Sequence, residues 1–286
     1  MSMKTISKAA LVLLAVLLLP VSAFAVETET SVAILDESGE VVGYFGSAEQ
    51  AAFLSVPRYE KTGAVQPMEE YMSEIASDPK NIVLWETGQY YFPFDMEAYV
   101  GTAFSDLSEL VDVAYDFVHR HPSLFYLRTG IRYTSDLEKL WIESTMSAEQ
   151  IGKAMPKFEQ AVDKALFGIK PGMTDEQKLL YLHDYLAIHN EYDLSYEGAT
   201  AYDALVEQTS VCQGYAFAFN HLASLLGFET RYAYSDRNDP VGKMQNHGWS
   251  AVKLGDMWYY VDVTHDDPTY GSVENKYGMI THQHFL

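Results

Sequence analysis

The only cysteine of this 286-residue chain, Cys212, lies in the stretch Ser210-Val211-Cys212-Gln213-Gly214-Tyr215. The residue types there suit acyl chemistry. Ser210 and Gln213 stand three apart, the spacing of a capping box, which predicts a helix with Ser210 at its N-cap and Cys212 in its first turn. A thiol at that place feels the positive end of the helix dipole, which favours the thiolate and predicts alkylation by iodoacetamide well below pH 8. The amides of the first turn have no partner inside the helix, so they are available to a developing oxyanion. Cys212, Ala216, Phe219, Ala223 and Leu226 then recur at helical spacing. This predicts an apolar face with the thiol at its edge, and Gly227 is a suitable residue to end the helix.

A nucleophile of this kind needs a base and a group to orient the base. Two apolar runs, His247 to Leu254 and Met257 to Thr264, flank Gly255-Asp256, a two-residue hairpin turn. That loop length sets a register in which Leu254 faces Met257, Trp249 faces Asp262 and His247 faces Thr264. Asp262 is then the diagonal neighbour of His247 on one face, about 7–8 Å away at the backbone. If the cysteine helix packs on that face, Cys212, His247 and Asp262 become nucleophile, base and orienter. His247 takes the thiol proton or holds the thiolate as an ion pair, and Asp262 orients and stabilises the imidazolium. The Cys212 amide helps to hold the oxyanion, with Gln213 beside it. Asn246 and Trp249 wall the site. Tyr192 and Gln208 are the side-chain candidates for a further oxyanion donor, and Gln208 reads equally as a solvated loop residue. Taken singly, His247 also reads as a core histidine and Asp262 as a turn acid beside Asp266-Asp267-Pro268; only mutual geometry separates these readings.

The rest of the chain must position these groups. Residues 1–25 read as a signal peptide: Lys4 and Lys8, an apolar run from Ala9 to Leu19, Pro20, and Ala23-Phe24-Ala25 as the cleavage site. Cleavage leaves 261 of the 286 residues and predicts a secreted or extracytoplasmic protein with no membrane span. The whole chain has 19 Lys+Arg against 40 Asp+Glu; losing Lys4 and Lys8 makes this 17 against 40, a net charge near −23. So acidic a surface argues against nucleic acid and anionic lipid as partners. A single cysteine allows no internal disulfide, so the fold rests on packing, and the leftover thiol reads as reactive or as an intermolecular partner. His119 with His121, His183 with His189, and His282 with His284 lack the converging ligands of a zinc site, and no Gly-rich phosphate loop occurs. No metal or cofactor is expected.

Along residues 26–165 the pattern predicts a hairpin from Val32 to Phe45, short helices over Ala48–Leu54 and Met68–Ala76, and a strand at Ile82–Trp85. A helix over Phe104–Arg120 follows, then paired strands at Leu124–Tyr133 and Leu140–Ser144, and a helix over Ser147–Phe167 disturbed at Pro156. From residue 166 onward, a helix runs from Thr174 to His189 with Leu179, Leu182, Tyr185, Leu186 and Ile188 as core. A short helix at Ala201–Glu207, the cysteine helix, a strand at Phe228–Tyr234 and the polar loop Asp236–Gln245 lead to the hairpin.

The order Cys-Gln-Gly-Tyr, then Asn-His-x-Trp, then Trp-Tyr-x-x-Asp-x-Thr-x-Asp-Asp-Pro resembles the transglutaminase-like superfamily of papain-type fold, in its bacterial, secreted branch. The likeness runs from about Leu179 to Pro268 and includes Tyr192-Asp193. It implies Cys212, His247 and Asp262 as the triad, and an α+β fold over residues 166–286 in which the cysteine helix packs on an antiparallel sheet; residues 26–165, read from their pattern as a mixed α/β N-terminal region, lie outside the motifs. It implies thiol chemistry on amide bonds of a protein or peptide, with water as acceptor (hydrolysis) or a lysine amine (cross-linking). The polar Asp236–Gln245 loop favours hydrolysis; a catalytically idle binding or cell-wall module is the reading from another class. Two departures stand out. His265 occupies a position where the family usually has Trp, and so either loosens the site wall or contributes to it. Family members also usually continue with further strand beyond the position of Leu286, so either a chain cut short or a sheet lacking an edge strand is expected.

Overall fold

In the computed structural model the described residues are 31–35 and 41–46, for their backbone, together with 65–234 and 247–267. The expected signal peptide, the helix over 48–54, the Asp236–Gln245 loop, Asn246, His282 and His284 lie outside them. The chain divides into two compact units, Met1–Ser47 and Ala48–Leu286. In the first, β1 (Ser31–Leu35) pairs antiparallel with β2 (Val41–Gly46), with a register shift between Ile34 and Leu35, in the place where a hairpin is expected.

The second unit begins with α1 (Val65–Ser77) and a four-stranded antiparallel sheet in the order β3-β4-β6-β5. Its strands are β3 (Val83–Leu84), β4 (Tyr90–Asp95), β5 (Leu127–Tyr133) and β6 (Lys139–Ser144). The sequence reading has no counterpart for β4, because Pro93 argues against a strand. The structure accommodates the proline at an edge: β3 pairs only with Tyr90 and Tyr91, so from Phe92 on β4 has a partner on one side alone. Phe92 and Phe94 bury on the helix side. Helix α2 (Leu107–Arg120) starts where Asp106 accepts the Glu109 amide at 3.0 Å. Helix α3 (Ala148–Leu166) starts with a reciprocal capping box between Ser147 and Gln150 and runs on through Pro156.

Helix α4 (Asp175–His189) is opened by a second capping box, Thr174 with Gln177. Leu179, Leu182 and Leu186 are buried as expected, but Ile188 is 63% exposed and belongs to no core. A two-residue parallel pair, β7 (Glu191–Tyr192) with β8 (Thr209–Ser210), brackets a loop and the π-helical turn Asp203–Glu207. Then come α5 (Cys212–Leu225), β9 (Thr230–Tyr234), β10 (Gly248–Leu254) and β11 (Met257–Val261), the strands forming an antiparallel sheet in the order β11-β10-β9. Helix α5 packs on β10 and β9, and the Ser250 hydroxyl donates to the Ala216 carbonyl at 3.2 Å across that interface. Its end is a Schellman motif: Gly227, at φ 91°, donates to Ser224 and Phe228 donates to Ala223. The architecture is α+β, and one apolar core runs from Met68 through both sheets to Val263. Among the described residues no helix is long and apolar enough to cross a membrane.

The apolar face expected of the cysteine helix is buried, and the burial extends all round, since every residue from Gly214 to Ala223 is buried. Two expectations are corrected. Ser210 is not the N-cap of this helix; it lies in β8, its hydroxyl accepts from Asn190 at 2.8 Å, and Val211 caps the helix with no side-chain bond. The hairpin strands stop at Gly248 and Val261, and the chain turns at once into a one-turn helix, α6 (Val263–Asp266).

Candidate functional site

Cys212 is the first residue of α5 and is 9% exposed. Its position is fixed by the strand pair before it. Val211 donates to the Gly198 carbonyl at 2.7 Å, and Tyr192 pairs with Ser210. Asp193 holds the loop that supplies Gly198: its carboxylate accepts from the amides of Ser195, Glu197 and Gly198 and from the Ser195 hydroxyl. Those bonds, led by the Ser195 hydroxyl, pull its pKa to about 2. Gly214 is required by close approach, since a Cβ there would stand 2.6 Å from the Ser210 Cβ and 3.0 Å from the Thr200 carbonyl. With a valine at the cap, no side chain from the cap engages the first-turn amides, which is what an oxyanion donor needs.

His247 comes from the residue before β10. The register of the hairpin is the expected one, from Leu254 with Met257 to Ser250 with Val261. Asp262, however, does not meet His247 as a strand residue. It is the N-cap of α6, accepting the His265 amide at 3.3 Å through Oδ1, and this aims Oδ2 at the imidazole. His247 Nε2 and Asp262 Oδ2 are 2.6 Å apart. The same ring makes a hydrogen bond with Cys212. With Nε2 engaged by the carboxylate, Nδ1 is the ring nitrogen left for the thiol.

The electrostatics follow from burial and these bonds. Burial alone disfavours the charged imidazole. The hydrogen bonds to Asp262 and Cys212, together with the Asp262 charge, outweigh it and push His247 up to about 10. Burial likewise raises Asp262, but His247 and His265 overcome it and hold the carboxyl well below the usual carboxylate range. The site therefore keeps an imidazolium and a carboxylate in contact beside the thiol.

The walls are aromatic. His247 stacks between Trp249, at 5.6 Å between centroids and 26° between planes, and His265, at 4.3 Å and 19°. His265 also reaches Asp262 Oδ2 through Nδ1 at 2.9 Å. It thus contributes to the site, the second of the two expectations raised for this position. Tyr232 is a wall residue the sequence reading misses. It lies 6% exposed beneath Gly248, where any Cβ would run into its hydroxyl, and burial raises its phenol. The glycine next to His247 was the available signal. His119, from α2, closes this side against Phe217, Tyr232 and Tyr234, and burial lowers its pKa to about 4.

The remaining candidates are less closely placed. Tyr192 is half-buried on β7. Gln208 sits at φ 56° after the π-helical turn, and its carbonyl accepts from the Glu191 amide at 2.9 Å. Gln213 is half-buried beside Cys212 in the first turn of α5.

A second polar cluster lies under the site. Asp266 Oδ2 meets His183 Nε2 at 3.1 Å, and His183 Nδ1 meets Asp184 at 2.9 Å. The Tyr215 hydroxyl donates to Asp267. Sequence spacing gives no sign of the contacts made by Asp266 and Asp267, because they span 83 and 52 residues, to α4 and α5.

Residues 164–263 match the family described as the transglutaminase-like superfamily, about a third of the chain, so this region carries a transglutaminase-like domain. No curated protein matches the sequence. Among solved structures, one described as a TGase is 12% identical, with 47% of this chain and 43% of that one covered and a TM-score of 0.34. A candidate cysteine protease from Cytophaga hutchinsonii is 16% identical, with 49% and 63% covered and a TM-score of 0.30. The chain spans less than two thirds of either, and at such scores neither likeness bears on the chemistry.

Proposed function

We propose that this protein is a thiol enzyme acting on amide bonds of proteins or peptides outside the cytoplasm, with Cys212, His247 and Asp262 as its triad. The observation that carries the reading is the double engagement of His247: one ring nitrogen held by a buried carboxylate, the other facing a thiol at a helix N-terminus. In the first step Cys212 sulfur attacks the amide carbonyl, and the oxygen becomes an oxyanion facing the amides of the first turn of α5. The tetrahedral intermediate collapses as His247 gives its proton to the leaving amine, leaving a thioester on Cys212. Asp262 holds the ring with Nδ1 towards the sulfur and stabilises its charge. In the second step His247 takes a proton from water as the oxygen attacks the thioester, and the carboxylic acid leaves with the thiolate restored. Tyr192 and Gln208 are the side-chain candidates for a further oxyanion donor.

Hydrolysis is favoured by the polar composition of Asp236–Gln245, the segment that leads into His247. A lysine amine attacking the same thioester would give a cross-link instead. A peptide-library incubation read by mass spectrometry separates the outcomes. New termini support hydrolysis, and loss of ammonia with joined peptides supports transamidation. If the parent protein and Cys212→Ala are equally inert while a peptide or glycan still binds, the protein is a binding module.

A further inference from the structure

We propose that His247, Asp262 and His265 form an inhibitory binding site for a late first-row divalent cation, zinc foremost, on the side of the His247 ring away from the thiol. One donor atom from each of these residues lies within 4.8 Å of the other two. Two imidazoles and a carboxylate are the set that zinc, cobalt and nickel accept. Asp262 Oδ2 is 2.6 Å from His247 Nε2 and 2.9 Å from His265 Nδ1. Ligands about 2.1 Å from a tetrahedral zinc stand about 3.4 Å apart, so these two contacts need to open by less than about 1 Å, and the His265 ring, stacked on His247 at 4.3 Å and 19°, must turn out of the stack to aim Nδ1 at the ion. The Asp262 carboxylate supplies charge that a dication needs in a buried place. His265 provides the way in, since its side chain is 19% exposed while those of His247 and Asp262 are 8% and 9% exposed. An acidic chain, 40 Asp+Glu against 19 Lys+Arg, also draws cations towards it.

The inhibition rests on the enzyme reading given above; the binding does not. A cation on Nε2 displaces that nitrogen's proton to solvent and takes its lone pair, so the one proton left on the ring resides on Nδ1. Nδ1 is the atom that must accept the proton of the attacking water. The base is therefore blocked while the thiol remains unligated. His265 supplies the third ligand, because the triad pair alone offers only two on this side of the ring.

The test measures zinc binding by calorimetry on the full chain, with Cys212→Ala as the background so that no thiol competes. Cys212→Ala is expected to bind one Zn2+ with an affinity close to that of the parent. Adding His265→Phe should weaken binding by at least about 100-fold. His265→Gln, which keeps a donor for Asp262, serves the same purpose if the phenylalanine variant does not fold by circular dichroism. The Co2+ form of the parent should show visible d–d bands without a sulfur-to-cobalt charge-transfer band in the near ultraviolet. Loss of binding in Cys212→Ala, a charge-transfer band in the parent, or an unchanged Kd on losing His265 would each overturn the proposal. An inert parent that still binds zinc through His265 would instead sink the enzyme reading alone.

Discussion

His247–Asp262 and His183–Asp266 are the same pair of side chains in two settings. Both carboxylates belong to one short stretch, the cap and last residue of α6, and both meet a histidine Nε2, at 2.6 and 3.1 Å. The settings differ at the other ring nitrogen. His183 is fully buried and turns Nδ1 to Asp184 at 2.9 Å, so carboxylates close the ring at both ends. Burial disfavours its charge, yet the two carboxylates outweigh burial and raise its pKa. His247 instead turns its second nitrogen to Cys212, at the edge of solvent. One histidine–carboxylate pair is thus closed at both ring nitrogens and the other keeps one nitrogen for the thiol, and in the proposed mechanism only the second serves as a base.

The contrast can be broken by substitution. Cys212→Ala and His247→Ala should each lower turnover of a fluorogenic amide by about 10,000-fold or more. Asp262→Asn should cost kcat on the order of 100-fold or more, with KM little changed. Asp266→Asn should leave kcat near the parent value wherever circular dichroism shows the fold intact; an equal loss in both variants would erase the distinction. Stability should rank the other way. His183→Ala removes a buried hydrogen-bond partner from the Asp266 carboxylate, a change that costs roughly 1–3 kcal/mol in urea unfolding. His247→Ala should cost less, because Asp262 keeps His265 and the backbone amide of His265.

Two smaller effects sharpen the same contrast. Gly248→Ala should destabilise by about 1–3 kcal/mol, because the Tyr232 ring below it is too buried to move aside, and the displaced His247 should lower kcat as well. Asp193 gives the pH dependence. Its pKa is depressed to about 2, so its contribution is present above the unfolded value near 3.8 and is lost as pH falls towards 2. Between pH 5 and pH 3 the parent should lose urea resistance faster than Asp193→Asn does. Equal slopes would mean that the Asp193 loop does not support the start of α5.

The site was legible where chemistry is local. The hairpin register followed from a two-residue turn, and the helix beginning at Cys212 from its residues. The contact of Asp262 with His247 was expected for a reason only partly right, since Asp262 reaches the ring as a helix cap rather than as a strand diagonal. The cap of α5 was misread because Ser210-x-x-Gln213 also satisfies a strand whose serine bonds Asn190 from 20 residues away. The contact of His183 with Asp266 spans 83 residues, beyond any spacing rule. In the N-terminal part, β4 was hidden by Pro93, whose tolerance depends on β3 being only two residues long.

The six residues from Asp262 to Asp267 make side-chain contacts with His247 before β10, His183 on α4 and Tyr215 on α5. A segment so short and so widely tied has no partly attached state that spares one contact while losing the others. Heating should therefore extinguish activity and native circular dichroism at one midpoint, with no interval in which a folded but silent enzyme accumulates. Amide hydrogen exchange should find these six residues among the last to open, although the helix they contain, Val263–Asp266, is a single turn.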